Sequence, residues 1–403
     1  MSRIVSFLRS PRLALAVIGF LAAWTGVGAW APWMQPQGPA APAWAVAVGL
    51  DRPFTAWPFL VVVALLFAST LACTWGKRAR IRAIRRGELP PSAVRLPPRG
   101  ADARAFLAEQ GFRGQGELLT RFAPALWGGW IFHVGLLVLI AAVLVQHALF
   151  DSGVFDLSEG ERANLAAHGT VFGREKGPLA REALPEVDLA LVRFDPFLKQ
   201  AGYSSDRLSE LEVRVPGEPL RVETVDRAAG IRAGDIEIFQ AIPSGMAITL
   251  DVPGMGMRSL RLRTEAPRRA AAEVTSPTGE PARFVAESER DIDGTAGTGK
   301  LLVWMESRGA RRALAPGVGF PFGAGEARVV GVGRWGRFTY TRTPGLAGVF
   351  AGFVVILAGC TLMAFPAGVA RLDRAGEGTA AVIFTVRGGA ALAAEWERAG
   401  PPA

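Results

Sequence analysis

Cysteine, histidine, lysine and tyrosine are all scarce in this sequence. Its 403 residues include two cysteines, three histidines and two tyrosines, and only 4 of the 45 basic residues are lysine. The cysteines, Cys73 and Cys360, lie in apolar segments and form no CxxC motif, so the chain lacks the usual thiol-redox pair. Residues 151–343 contain no cysteine, so a domain folded there depends on its own apolar core rather than on disulfides.

The scarcity of histidine also restricts the catalytic possibilities. His168 is the only histidine within residues 151–343, and no Ser, His and Asp set can be assigned there. The segment GTAGTGK, residues 294–300, has the glycine spacing of a phosphate loop, but Leu301 stands where a metal-binding Ser or Thr is required. We interpret this segment as a loop between β-strands, and the sequence offers no candidate catalytic residue.

Long apolar runs are abundant instead. Half of the residues are hydrophobic and the mean hydropathy is +0.25. About 20 helical residues cross a bilayer core of about 30 Å. Four segments reach this length, residues 13–33, 54–75, 125–150 and 345–366. The sequence therefore predicts an integral membrane, α-helical protein with four transmembrane helices.

The basic residues predict how these helices are threaded, because Lys and Arg in short flanking loops stay on the cytoplasmic side. Three arginines precede the first segment and eleven Lys or Arg lie within residues 77–121, whereas the loop 31–53 carries Arg52 alone. Both termini are expected in the cytoplasm, and residues 151–343 outside. That outer stretch holds 26 basic and 27 acidic residues. The net charge of +9 therefore belongs to the cytoplasmic flanks, and nucleic-acid binding is not needed to explain it.

The first apolar segment has two interpretations. A basic start, an apolar stretch and the tripeptide AWA are compatible with a cleaved signal peptide. The length of the run and the shortness of the next loop favour a retained helix. If the helix is retained, the chain begins with a cytoplasmic tip and helices 1 and 2 (1–76), followed by a basic cytoplasmic loop (77–124) and helix 3 (125–150). An outer domain (151–343), helix 4 (344–366) and a cytoplasmic tail (367–403) complete the predicted organisation.

The outer region has the pattern of an all-β domain. Within residues 187–343, ten short runs alternate apolar and polar residues and restart after Gly, Pro or Asp, for example ELEVRV, DIEIFQ and MAITLDV. This pattern predicts an antiparallel, sandwich-like domain. Residues 151–185 are expected to form an irregular lead-in with one or two strands.

The cytoplasmic loop and tail each contain a helix signal and a strand signal. DARAFLAEQGF and ELLTRF lie in the loop, and TAAVIFTVRGG and AALAAEWERAG lie in the tail. Two arrangements are open: one small α/β module built from both, or two separate segments.

His133 is an ionisable residue inside the third apolar segment. It lies about eight residues from the cytoplasmic end, or ~12 Å deep at 1.5 Å per residue. Such a residue is costly in lipid and usually faces the bundle interior or a polar cavity. Two interpretations stay open, a neutral imidazole hydrogen-bonded to another helix, or a metal or haem ligand. A haem held by two histidines would need its second ligand from a partner, because no other predicted helix contains one.

Four further residues are weaker candidates. His147 follows His133 by fourteen residues on nearly the same helix face, close to the outer rim, where an interfacial histidine is the alternative to a ligand. His168, in LAAHGTVF, is expected in a surface turn. Gly348 and Gly352 form a GxxxG pair that permits close approach of another helix.

The order of these features, together with several local motifs, resembles the ResB-like proteins of the system II cytochrome c biogenesis pathway. The motifs are FLRSPRLALAVIGFLAAWTGVG at the start, LLFASTLACTWGKR, WGGWIFHVGLLVLIAAVL around His133, FDLSEGE, and RLSELEV followed by GDIEIFQA. The resemblance covers most of the chain, and its strongest part surrounds His133.

The resemblance implies that His133 matches the family's intramembrane haem-ligand histidine. The fellow ligand belongs to a CcsA/ResC-like membrane partner, whose WWD motif presents haem to the CxxCH thiols of apocytochrome c. This chain has no WWD motif, so it is expected to be a non-catalytic subunit of a cytochrome c haem lyase, or synthetase, in the bacterial inner membrane. It would carry haem b in transit and contact membrane lipid. The competing interpretation is a haem-free, membrane-anchored β-sandwich scaffold or sensor in which His133 only packs.

Overall fold

The structure is a computed structural model, and it describes residues 2–31, 39–97, 102–198, 206–252, 254–276, 278–289, 301–307, 309–375, 378–385 and 389–399. The segment GTAGTGK, interpreted above as a loop, lies outside the described residues. The chain folds into two compact units, Met1–Ala148 with Pro344–Ala403, and Leu149–Thr343.

Four helices of the first unit are long and apolar enough to cross a membrane, which confirms the four predicted apolar segments. The second of them is longer than predicted, because the basic sequence after Trp75 continues as helix as far as Arg85. Ile81 and Ile84 are three residues apart and both are buried, so this extension has an apolar face to pack. The helices are α1 (Ser2–Leu8), α2 (Pro11–Trp30), α3 (Ala43–Val48), α4 (Trp57–Arg85), α5 (Ala103–Glu109), α6 (Gly128–Leu149, preceded by a 3₁₀ turn, Ala123–Trp127), α7 (Leu346–Ala364) and α8 (Gly389–Ala399).

Helices α6 and α7 run antiparallel and pack closely through glycines. A Cβ atom on Gly135 would lie 2.6 Å from the backbone nitrogen of Ile356, and one on Gly352 would lie 2.8 Å from that of Leu139. The same holds at the end of the pair, where a Cβ atom on Gly359 would lie 2.4 Å from the backbone nitrogen of Phe132. Glycine is required along this contact because the two backbones touch.

The loop and tail segments flanking these helices form a single mixed module, which is the first of the two arrangements left open by the sequence. Its sheet has the order β1-β20-β19-β2 and is antiparallel throughout. Helices α5 and α8 supply Phe106 and Trp396 to its core, with ring centroids 5.0 Å apart, and Trp396 Nε1 donates a hydrogen bond to the Pro97 carbonyl at 3.1 Å. The strands are β1 (Val94–Leu96), β2 (Leu118–Arg121), β19 (Gly368–Ala375) and β20 (Gly378–Thr385).

The second unit, called the β domain below, is antiparallel in its named strands, as predicted. The lead-in contains three strands, β3, β4 and β5, rather than one or two. The strands are β3 (Asp151–Ser158), β4 (Arg162–Asn164), β5 (Phe172–Lys176), β6 (Asp188–Leu198), β7 (Asp206–Arg214), β8 (Arg221–Val225), β9 (Ile231–Ala233), β10 (Ile236–Val252), β11 (Gly256–Arg261), β12 (Arg263–Ala266), β13 (Arg269–Thr275), β14 (Pro281–Ser288), β15 (Leu301–Ser307), β16 (Ala310–Leu314), β17 (Gly319–Phe322) and β18 (Gly325–Arg342).

The described residues of the β domain form three sheets. The largest has the order β11-β10-β18-β3-β5, with β9 and β17 paired at its sides, and the others have the orders β12-β13-β14-β15-β16 and β4-β6-β7-β8. The long strands β10 and β18 contribute to two separate cores. Ile238 and Phe338 belong to the core shared with β6 and β7, whereas Ile248 and Val329 belong to the core shared with β14 and β15. A register shift between Ala241 and Ser244 separates the two parts of β10.

Asp151, the first residue of β3, is a fully buried carboxylate. Its two oxygens accept hydrogen bonds from the Arg174 guanidinium at 2.9 Å. Tyr340 donates its hydroxyl proton to the same carboxylate at 3.1 Å, and Arg342 lies 3.6 Å away. Burial, and then the negative charge of Asp151, raise the pKa of Tyr340 well above its ordinary value. The network satisfies charges that would otherwise be costly inside the domain.

Candidate functional site

His133 lies on the face of α6 opposite the glycines that contact α7. Gly135 is two positions further along the chain, which is about 200° around the helix. Gly129 and Trp130 lie four and three residues earlier, so they share the side of α6 on which His133 lies. The close packing of α6 on α7 therefore leaves the imidazole directed toward other neighbours.

The neighbour of His133 is Lys77 of α4. The Lys77 ammonium nitrogen lies 2.5 Å from His133 Nε2. When Lys77 is protonated it can only donate, so Nε2 accepts this bond and the proton of the neutral ring lies on Nδ1. In that state the imidazole is the tautomer whose Nε2 is able to bind a metal once Lys77 leaves it.

The second ring nitrogen is not paired. His133 Nδ1 is buried and has no hydrogen-bond partner within the described part of the chain. A buried N–H donor without an acceptor costs about 1–3 kcal/mol. The structure agrees with the interpretation of His133 as an imidazole hydrogen-bonded to another helix, at one nitrogen and through Lys77 of α4.

A cavity of about 260 Å³ lies beside this pair. Lys77 and Arg80 of α4 line it together with Gly129 and Trp130 of α6. Its remaining lining side chains are apolar: Ile81, Ile84, Ala125, Leu126, Met363 and Phe384. The cavity is thus an apolar space with two cationic groups at its wall, one of them hydrogen-bonded to His133.

Trp130 also contacts Trp127 at the start of α6, with the two rings edge to face and their centroids 5.6 Å apart. Trp130 also lines the cavity. Trp130 therefore adds a flat aromatic surface to the candidate site, beside Phe384.

His147 lies in a different environment from His133. Its ring stacks on Phe54 with centroids 6.0 Å apart and meets Phe59 edge to face at 5.4 Å. Aromatic contacts of this kind are typical of packing. The structure does not bring His147 together with Lys77 or with the cavity, so the two histidines of α6 form no common site within the described residues.

Gly348 and Gly352, predicted to allow close helix packing, both face α6 of the same chain. A Cβ atom on Gly348 would lie 2.8 Å from the Cβ of Ala142, and Gly352 contacts Leu139. The GxxxG surface is therefore used inside this chain. His168 is exposed in a turn of the β domain, as expected from its sequence.

Within the described residues no group of three or more His, Cys, Asp and Glu side chains is arranged to hold a metal ion. A haem iron already has four pyrrole nitrogens and needs only axial ligands from protein. His133 could supply one axial ligand through Nε2, which in this structure is occupied by the hydrogen bond with Lys77.

The sequence pattern did not identify Lys77 and Arg80 as parts of the site. Both were interpreted only as charges that orient the helices. One signal was available, because Lys77 is one of only four lysines and directly follows an apolar run. Its approach to His133, 56 positions later, requires knowledge of how α4 and α6 pack.

No protein-family model matches the chain, and a search of the curated proteins finds no match.

Proposed function

We propose that the chain is a subunit of a system II cytochrome c synthetase and haem exporter, which carries haem b from the cytoplasmic side of the bacterial inner membrane to the outside. The observation that carries this proposal is His133, an imidazole in an apolar helix whose Nε2 lone pair is held by an exposed lysine beside an apolar cavity. Imidazole is a common axial ligand of haem iron.

The chemistry of the cargo explains why such a site would be useful. Haem carries two propionate charges, and a charged group at the centre of a bilayer is strongly unfavourable. An axial ligand partway along the path would hold the iron, and nearby cations would neutralise the propionates. His133 would supply the ligand, and Lys77 and Arg80 the cations.

The proposal includes a topology and partners. Both termini and the mixed module lie in the cytoplasm, and the β domain lies outside, in accordance with the distribution of basic residues. A CcsA/ResC-like membrane protein with a WWD motif supplies the second axial ligand and attaches haem to apocytochrome c. This chain is the non-catalytic subunit, and its β domain organises the outer side of the complex as a sandwich-like scaffold.

The test is the haem spectrum of the complex purified from cells that co-express the chain with a WWD-motif partner. We expect a bis-histidine spectrum in the wild type and its loss in His133→Ala. His168→Ala is a matched control, because His168 is exposed in the β domain and should leave the spectrum unchanged. An equal haem content in wild type and His133→Ala would exclude the ligand role.

The alternative is a haem-free, membrane-anchored scaffold or sensor. The observation favouring it is the mixed module, whose buried core combines residues from the loop and the tail and could act as an output domain. This function predicts normal amounts of c-type cytochromes in a strain lacking the gene. The proposed function predicts their loss.

A further inference from the structure

Two cations on one face of α4 approach the same cavity. Lys77 and Arg80 are three residues apart, a spacing that places side chains side by side on a helix at about 5–6 Å between their Cβ atoms. Both line the cavity of about 260 Å³. Arg82, two residues further on, is exposed and does not line it. Lys77 and Arg80 therefore line the cavity, whereas Arg82, at the same basic end of α4, does not.

Among the residues that the structure describes, no acidic side chain lines this cavity. The rest of the lining is apolar, with the flat ring of Trp130 on one side. Ligand pockets for whole small molecules are usually about 300–1,000 Å³, so this cavity fits one edge of a larger ligand. A ligand with an anionic edge joined to a flat apolar body would complement both the cationic side chains and the apolar walls of this cavity.

We propose that the cavity binds the carboxylate edge of the porphyrin, with Lys77 and Arg80 each pairing with one propionate; the proposal rests on the function proposed above. Two cations side by side match the two carboxylates of one porphyrin edge. A phospholipid with a single phosphodiester charge would occupy only one of them. The observations therefore favour the porphyrin over an anionic lipid headgroup.

The hydrogen bond between Lys77 and His133 gives this recognition a second effect. Lys77 is exposed, so it can turn away from the imidazole without breaking a packed core. A carboxylate is a better acceptor for an ammonium group than a neutral imidazole, because the bond is then assisted by both charges. When Lys77 turns to a propionate, the Nε2 lone pair of His133 becomes free. Lys77 thus makes the axial ligand available only when a carboxylate has arrived.

The test compares haem with haem dimethyl ester, in which both carboxylates are blocked. Each is titrated into the purified full-length complex, and binding is followed by the absorption spectrum. We expect the wild type to prefer haem over the diester by about tenfold, the equivalent of two weak ion pairs. Arg80→Met should abolish most of that preference by weakening haem binding.

Lys77→Met distinguishes the second effect. It should weaken binding of haem, and it should strengthen binding of the diester several-fold relative to wild type, because nothing then competes for His133 Nε2. Arg82→Met on the same helix is the matched control and should retain the preference of the wild type.

Each alternative result has a definite meaning. Equal affinities of the wild type for haem and diester would overturn the carboxylate site and leave the His133 ligand role intact. Loss of preference in Arg82→Met as well would assign the effect to general surface charge. Displacement of haem by vesicles of pure phosphatidylglycerol, but not of phosphatidylcholine, would assign the cavity to lipid. Failure of the wild type to bind either porphyrin would overturn the proposed function itself.

Discussion

The Lys77 ammonium group is hydrogen-bonded to Nε2 of His133, so a lysine on α4 holds the nitrogen through which the histidine on α6 would bind a metal. This contact orients the imidazole within the apolar helix α6. It also means that metal binding through Nε2 requires Lys77 to move. The site is thus defined by a pair of residues rather than by His133 alone.

His147 is expected to make no contribution to haem binding. Its ring is packed against Phe54 and Phe59, so His147→Phe replaces one ring by another of similar shape and removes both nitrogens. We expect the haem content and spectrum of the purified complex to be unchanged. A loss of haem comparable with that of His133→Ala would show that His147 is a ligand.

The glycine contact between α6 and α7 predicts a strong effect of one methyl group. In Gly359→Ala the new Cβ atom would lie 2.4 Å from the backbone nitrogen of Phe132, so the helices must separate. Overpacking of this kind costs about 1–3 kcal/mol. The measurement is the temperature at which the detergent-solubilised protein loses its monodisperse peak.

Gly26→Ala in α2 is the matched control for that experiment. A Cβ atom at Gly26 meets no heavy atom within 4 Å, and alanine is the better helix former. We expect this variant to be as stable as the wild type. Equal losses in both variants would show that the close α6–α7 contact is not the cause.

The Asp151 network predicts a large cost for removing one charge. Asp151→Asn leaves Arg174 and Arg342 beside a neutral amide in a buried site, and breaking a buried ion pair costs about 3–5 kcal/mol. Faster hydrogen exchange of β3 and β18 amides is the expected result. Glu265→Gln, which removes one partner of a partly exposed pair with Arg283, should change exchange little, because solvent screens a surface ion pair of this kind.

Tyr340 gives the β domain a dependence on alkaline pH. Its pKa in the folded chain is raised, first by burial, above the ordinary value of 10.0. The folded state therefore keeps a proton that the unfolded state releases. The stability from neutral Tyr340 is complete below pH 10 and decreases as the pH rises above it. Tyr340→Phe should lose one hydrogen bond at neutral pH and should show a smaller decrease above pH 10.

The titration of Tyr340 can be measured directly. The chain has two tyrosines, Tyr203 and Tyr340, so Tyr203→Phe leaves Tyr340 as the only source of tyrosinate absorbance. We expect its ionisation to coincide with alkaline unfolding of the β domain. Ionisation near pH 10 in the folded protein would contradict the buried hydrogen bond to Asp151.

Trp396 is expected to hold the mixed module together. Its side chain is fully buried, contacts Phe106, and donates a hydrogen bond to the Pro97 carbonyl. Truncation of a large core aromatic costs about 3–5 kcal/mol. Trp396→Ala should therefore make α8 accessible to a protease, whereas Arg398→Ala, at an exposed position of the same helix, should not. Equal protection of both variants would show that α8 is held by other contacts.

The sequence was sufficient to predict the elements with strong local patterns. Four apolar runs predicted four long helices, and period-two alternation predicted the antiparallel strands. The exact strands were harder to predict. DIEIFQ and MAITLDV were expected as two strands, but both lie in β10, because β18 pairs with it on both sides of the irregularity between Ala241 and Ser244. A local Pro and Gly signal was overridden by pairing with a strand about ninety residues later.

The candidate site was predicted in part for a related reason. His133 stands out by its chemistry against an apolar background, so one sequence segment was enough to find it. The position of Lys77 depends on the rotation and height of α4 against α6, and hydropathy does not encode either. The sequence also left open whether the loop and the tail form one module or two separate segments. Pairing between distant strands, such as Gly368 with Arg121, joins them into one module.

The strand order of the mixed module has a consequence for biosynthesis. β1 and β2 form the two edges of its sheet, and their neighbours in that sheet, β20 and β19, are made only after the whole β domain and α7. During translation β1 and β2 therefore remain unpaired with β20 and β19 while more than two hundred residues are synthesised. Completion of this sheet therefore requires synthesis to proceed past β20, and a product truncated after α7 would expose two unpaired strands to quality-control proteases.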